Sequence, residues 1–123
     1  MAYGILRKIF EVFEKYRTSI DMVTTSEVAV SLTIDNDAYL KEIIKELELF
    51  GTVEVDTNQT IVSIVGNGIT ETKDVLRKIF ESIPDIPVRM VSYGGSRHNI
   101  SLLVSREYKE QTMQQLNAGL FGG

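Results

Sequence analysis

An internal repeat constrains this chain more than any other feature. Leu6-Arg7-Lys8-Ile9-Phe10-Glu11 returns letter for letter as Leu76-Arg77-Lys78-Ile79-Phe80-Glu81, an offset of 70 residues. Val30-Ser31-Leu32 matches Ile100-Ser101-Leu102 at the same offset. Between them Met22-Val23 matches Met90-Val91 at an offset of 68, so two residues are lost and regained in loops. A repeat on this scale is one supersecondary unit used twice. In 123 residues it leaves room for two very small domains, expected at residues 1–56 and 57–123.

Each repeat carries the same periodicities. The first opens with a helix expected from Gly4 to Tyr16, with Leu6, Ile9, Phe10 and Phe13 at helical spacing. Two β-branched runs follow, Ile20 to Thr25 and Val28 to Ile34. A second helix carries Leu40, Ile43, Ile44 and Leu47, with N-cap candidates in Asp35-Asn36-Asp37 and a stop at Gly51. Val53 and Val55 read as a third strand, and Asp56-Thr57-Asn58-Gln59 as the turn into a strand over Ile61 to Val65. The second repeat continues with a helix over Glu71 to Ile83, halted by Pro84 and Pro87. It has strands at Val88 to Tyr93 and Asn99 to Val104, then a helix over Arg106 to Ala118 using Tyr108, Met113 and Leu116.

This order predicts an α+β fold of two ferredoxin-like units of βαββαβ type, antiparallel sheets with helices on one face. Repeat one lacks the first strand of that unit and repeat two the last. An unpaired apolar edge invites pairing. The expectation is therefore a fragment whose missing strands lie upstream, or repeats that pair across subunits.

Composition excludes several function classes. A net charge of −4 argues against nucleic acid, whose binding draws on a basic face. The pairs Arg7-Lys8 and Arg77-Lys78 fall on helices with acids beside them and read as solvated faces. No apolar run is long enough to span a membrane, and no signal peptide is evident. The chain has no cysteine, hence no disulfide or thiolate metal site, as in cytoplasmic proteins. No phosphate-binding glycine run, nucleophile–base pair or ligand cluster is present, so no catalytic or metal residue is expected. His98 stands alone, without the second histidine or cysteine a metal site would use.

Two motifs carry a family resemblance. Ser19-Ile20-Asp21-Met22-Val23-Thr24-Thr25-Ser26-Glu27-Val28-Ala29-Val30-Ser31-Leu32-Thr33-Ile34-Asp35 closely resembles the effector strand pair of lysine-sensitive aspartokinases. Ser92-Tyr93-Gly94-Gly95-Ser96-Arg97-His98-Asn99-Ile100 resembles the corresponding stretch of their second repeat, and Leu120-Phe121 their C-terminal end. Ile5 departs from the pattern, which usually has an aromatic residue after the glycine. The resemblance implies tandem ACT units that bind L-lysine, associate as a homodimer and feedback-regulate a preceding kinase domain. That domain would phosphorylate aspartate with ATP and magnesium; this fragment would hold no cofactor and no activity of its own. A purely structural ACT dimerisation module is the alternative.

Free lysine presents one carboxylate and two ammonium groups. Backbone N–H groups of Gly4, Ile5 and Leu6 at a helix start suit the carboxylate, and glycine permits close approach. Asp21 and Glu27 suit the ammonium groups, with Ile20, Thr25 and Ser26 completing the shell. Against these stand plainer roles: a solvent-facing edge carboxylate for Asp21, turn positions for Thr25, Ser26 and Glu27, a frayed helix start for Gly4. In repeat two Asp21 is replaced by Arg89, so that unit should not take a cationic effector in the same pose. Its Gly94-Gly95, Ser96, His98 and Asn99 then read as a shaped turn at a unit–unit interface.

Overall fold

The computed structural model describes residues 3–26, 28–94 and 97–122. The chain divides into two compact units, residues 1–55 and 56–123. In the first, helix α1 (Tyr3–Lys15) leads to strands β1 (Ile20–Thr25) and β2 (Val30–Ile34) and then helix α2 (Leu40–Leu47). In the second, β3 (Gln59–Val65) precedes α3 (Val75–Ser82), β4 (Val88–Ser92), β5 (Asn99–Ser105) and α4 (Lys109–Leu120). Single 3₁₀ turns, Ile69–Glu71 and Arg106–Tyr108, introduce α3 and α4. Both sheets are antiparallel: β1 pairs with β2, and β5 lies between β3 and β4.

The repeat persists in burial. Ile9 and Ile79 are buried, as are Phe13 and Ile83, whereas Phe10 and Phe80 stay exposed at 43% and 42%. The expected stripe through Phe10 is thus corrected: Val12 takes the place beside Ile9 and Phe13. Ile9, Val12 and Phe13 share an arc that Phe10, about 100° on from Ile9, leaves. Ile43 of α2 closes this core against Ile20, Val30, Leu32 and Ile34. In unit 2, Val75, Ile79 and Ile83 meet Ile100, Leu102 and Val104 of the central strand, together with Leu116. The last helix buries Thr112 and Leu116 rather than the expected Met113, which is exposed.

Two further expectations are corrected. Val53 and Val55 form no strand. In a βαββαβ unit the last strand pairs beside the first, and among the described residues of unit 1 only β1 and β2 form a sheet, so β-branched residues alone have no ladder to join. Nor do the acids before α2 cap it. Asn36 Oδ1 accepts from Ala38 N at 2.9 Å in an Asx turn, and the helix starts at Leu40 with no side-chain cap.

Arg17, at φ 50, ends α1 in the left-handed region. Thr18 N donates to Phe13 O at 2.9 Å and Arg17 N to Glu14 O at 3.0 Å, the Schellman pattern that usually employs glycine. This reversal sends β1 back along α1. Thirteen helical residues span about 20 Å, as do six strand residues, roughly. The N-terminal turn of α1 therefore lies toward the Thr25–Val30 end of the hairpin.

Candidate functional site

The position of Asp21 is set by an irregularity in the sheet. The β1–β2 register slips between Ile20 and Met22, and the β4–β5 register slips between Val88 and Met90. Asp21 and Arg89 thus occupy the same bulge in the two repeats. A bulge re-aims a side chain out of the regular pleat. Asp21 is exposed and has no ion-pair partner among the described residues. Ile20, half-buried opposite Ile34, packs on the core instead of offering a free surface.

At the other end of β1 stand Thr25, exposed opposite Val30, and Ser26. The Ser26 hydroxyl accepts from Ala29 N at 3.2 Å and Val28 N at 3.4 Å, while Ser26 N donates to Ala29 O at 2.8 Å. Its first task is therefore to shape the turn. Glu27 lies outside the described residues, as do Gly95 and Ser96. Gly4 and Ile5 are exposed in the first turn of α1, where four backbone N–H groups lack helical partners. A Cβ on Gly4 would meet nothing within 4 Å, so nothing in the fold requires glycine there.

Thr25 lies four positions along β1 from Asp21, about 13 Å away. Along β1, Thr25 and Ser26 stand at the end toward which the start of α1 is directed, and Asp21 stands at the other end. An extended ligand with an anionic and a cationic terminus matches that polarity: N–H donors at one end, a carboxylate at the other.

A polar contact between α1 and α2 escaped the sequence pattern. The Tyr16 hydroxyl and Lys15 Nζ both reach Glu46 Oε2, the latter at 3.0 Å, and Tyr39 lies 5.9 Å from the Tyr16 ring. The Tyr16 hydrogen bond, with Lys15, holds the Glu46 carboxyl below the usual carboxylate range, and Glu46 raises Lys15. Only the long-range pairing of α1 with α2 brings these residues together.

In unit 2 the β4–β5 loop is bonded to the segment before α3. Tyr93 OH donates to Thr70 O at 3.1 Å, Arg97 pairs with Glu71 at 2.8 Å, and Gly66 N donates to His98 O at 3.0 Å. Gly68 N also donates to His98 Nδ1 at 3.4 Å. The bulged Arg89 is ion-paired with Asp56.

The architecture is a pair of small α+β units with antiparallel sheets, and comparison gives it a family. A model of the ACT domain matches residues 62–120. A solved structure described as a C-terminal regulatory domain of aspartate kinase from Porphyromonas gingivalis W83 is 43% identical, with a TM-score of 0.87, over 98% of this chain and 83% of that one. The lysine-sensitive aspartokinase 3 of Escherichia coli is 33% identical over 96% of this chain. Its aspartokinase III crystal structure with lysine and aspartate, in the T-state, superposes with a TM-score of 0.83 at 34% identity, over 98% of this chain and 28% of that one. The chain belongs to the ACT-domain family and corresponds to the C-terminal regulatory region of aspartokinases. It spans 28% of the length of the E. coli aspartokinase.

Proposed function

We propose that this chain is the effector-binding region of an aspartokinase, through which L-lysine feedback-inhibits ATP-dependent phosphorylation of aspartate by a kinase domain of the same protein. The observation that carries this reading is the bulged Asp21, without an ion-pair partner among the described residues and set apart from the N-terminus of α1 along β1, in a chain 33% identical to a lysine-sensitive aspartokinase. The lysine carboxylate sits at the N–H groups of Gly4, Ile5 and Leu6, with Thr25 and Ser26 beside it. The ε-ammonium reaches Asp21, and Glu27 takes the α-ammonium. Lysine shifts the kinase by binding one arrangement of the units more tightly than another, and a homodimer in the cytoplasm is the setting we infer.

Calorimetric titration with lysine tests this. Asp21→Ala removes a charge-assisted hydrogen bond of roughly 1.5–3 kcal/mol, a loss of about tenfold or more in affinity. Arg89→Ala leaves lysine binding nearly unchanged. A chain that is folded and releases no heat with lysine is a structural dimerisation module instead. Equal effects of Asp21→Ala and Arg89→Ala overturn the pose.

A further inference from the structure

The sequence holds a single Asn-Gly pair, Asn67-Gly68, and a single histidine, His98, and the fold sets one against the other. The pair lies between β3 and α3 in a tight turn, closed by Ile69 N donating to Gly66 O at 3.2 Å. Asn67 is exposed, and Gly68 takes φ 63, the left-handed conformation that favours glycine. The Gly68 carbonyl accepts from Glu71 N at 2.9 Å and from Thr72 Oγ1 at 3.4 Å, which fixes that side of the residue. On its other side the Gly68 N–H points at His98 and donates to Nδ1 at 3.4 Å, a long bond. The histidine backbone is tied to the same turn, because His98 O accepts from Gly66 N at 3.0 Å just beyond the Val65–Asn99 pair of the β3–β5 ladder. The turn and the imidazole are thus held together through the sheet, and the lysine reading uses neither.

We propose that Asn67 is a self-modification site, where the side-chain amide is lost by deamidation with His98 as the general base. His98 Nδ1 takes the proton from Gly68 N, and that nitrogen forms a bond to Asn67 Cγ. The Cγ–N bond of the carboxamide then breaks, and ammonia leaves with a proton returned by the imidazole. Water opens the resulting cyclic imide at one carbonyl or the other, giving aspartate or isoaspartate, so that one water is consumed and one ammonia released. A ring nitrogen that accepts a hydrogen bond is the basic one. Its place beside the proton to be removed is what general-base catalysis requires, and such bonds are often long until the reacting geometry is reached. Gly68 brings no Cβ to crowd its own nitrogen, whereas Asp37, Gln59, Ile100 and Ala118 follow the other asparagines. Either product puts a new carboxylate near an old one: a Cβ on Gly68 would stand 3.8 Å from Glu71 Oε2. Isoaspartate also lengthens the backbone between Gly66 O and Ile69 N by one carbon. The segment that holds the β4–β5 loop through Tyr93–Thr70 and Arg97–Glu71 is thereby loosened.

Incubating the 123-residue chain at mildly alkaline pH, with peptide mapping by mass spectrometry at intervals, tests this. Asn67 should show the mass change of amide to carboxylate before Asn36, Asn58, Asn99 or Asn117, with both aspartate and isoaspartate among the products. His98→Gln keeps an acceptor for the Gly68 N–H but cannot take its proton, and should slow the conversion about tenfold or more. His98→Ala should slow it likewise and recover rate with added imidazole, which returns a base without returning the side chain. Both positions of the substitution are exposed, and far-UV circular dichroism matching the parent shows that the variants fold. An Asn67 that stays intact, or that converts after another asparagine, overturns the proposal. So does a rate in folded His98→Gln equal to or above that of the parent, or a His98→Ala rate that imidazole leaves unchanged.

Discussion

Gly119→Ala is a sharp test of how closely α3 and α4 approach. A Cβ at Gly119 would lie 2.0 Å from Ser82 Oγ and 2.7 Å from Ser82 Cβ. Rotating the hydroxyl does not relieve the second contact, and that hydroxyl is already bonded to Lys78 O at 2.7 Å. Ser82 O in turn accepts from Gln115 Nε2 at 3.1 Å, which ties the two helices at the same point. Overpacking of this kind costs about 1–3 kcal/mol. Alanine recovers up to about 1 kcal/mol of helix propensity, so the net effect is a destabilisation of roughly 0–2 kcal/mol. Urea unfolding followed by far-UV circular dichroism measures it. Ser82→Gly removes both close atoms, so the double variant should regain the loss, with a coupling energy of about 1–3 kcal/mol in the cycle. If Gly119→Ala alone stabilises by the full propensity gain, or the two changes are additive, the close contact is not real.

Arg17→Gly should stabilise unit 1 by about 1 kcal/mol, because the residue closes α1 at φ 50, where glycine carries no Cβ penalty; thermal unfolding reads this, and a lower midpoint contradicts it. Glu46 is held below its ordinary pKa of 4.5, so its contribution is complete above pH 4.5 and is lost as pH falls through the folded value. Glu46→Gln should therefore flatten the acid limb of unit 1 stability below pH 4.5, and an unchanged pH profile would discount the Tyr16–Glu46–Lys15 contact.

The helices and both central hairpins were legible because their periodicities are strong and occur twice. What tertiary packing decides was less so. Periodicity marks Ile9, Phe10 and Phe13 alike as apolar, but only the presence of a sheet beneath α1 selects Val12 over Phe10 for burial, and does the same at Phe80 in α3. Val53 and Val55 have strand chemistry without a neighbouring strand to bond. Thr112 is buried where Met113 was expected because the arc of α4 facing α3 is fixed by the close approach at Gly119. At the candidate site, motif resemblance rather than physics singled out Asp21, and the bulge that presents it carries no sequence signature of its own. The Arg89–Asp56 ion pair was hidden for a related reason. Asp56 to Gln59 look like a plain turn until a residue 33 positions away is folded against them.

A crystal structure of the chain grown with L-lysine would test the central claim most directly. Lysine should be found in unit 1, with its carboxylate at the backbone N–H groups of Gly4, Ile5 and Leu6 and its ε-ammonium on the Asp21 carboxylate. Lysine bound only in unit 2, or a unit 1 surface without lysine at saturating concentration, would contradict it.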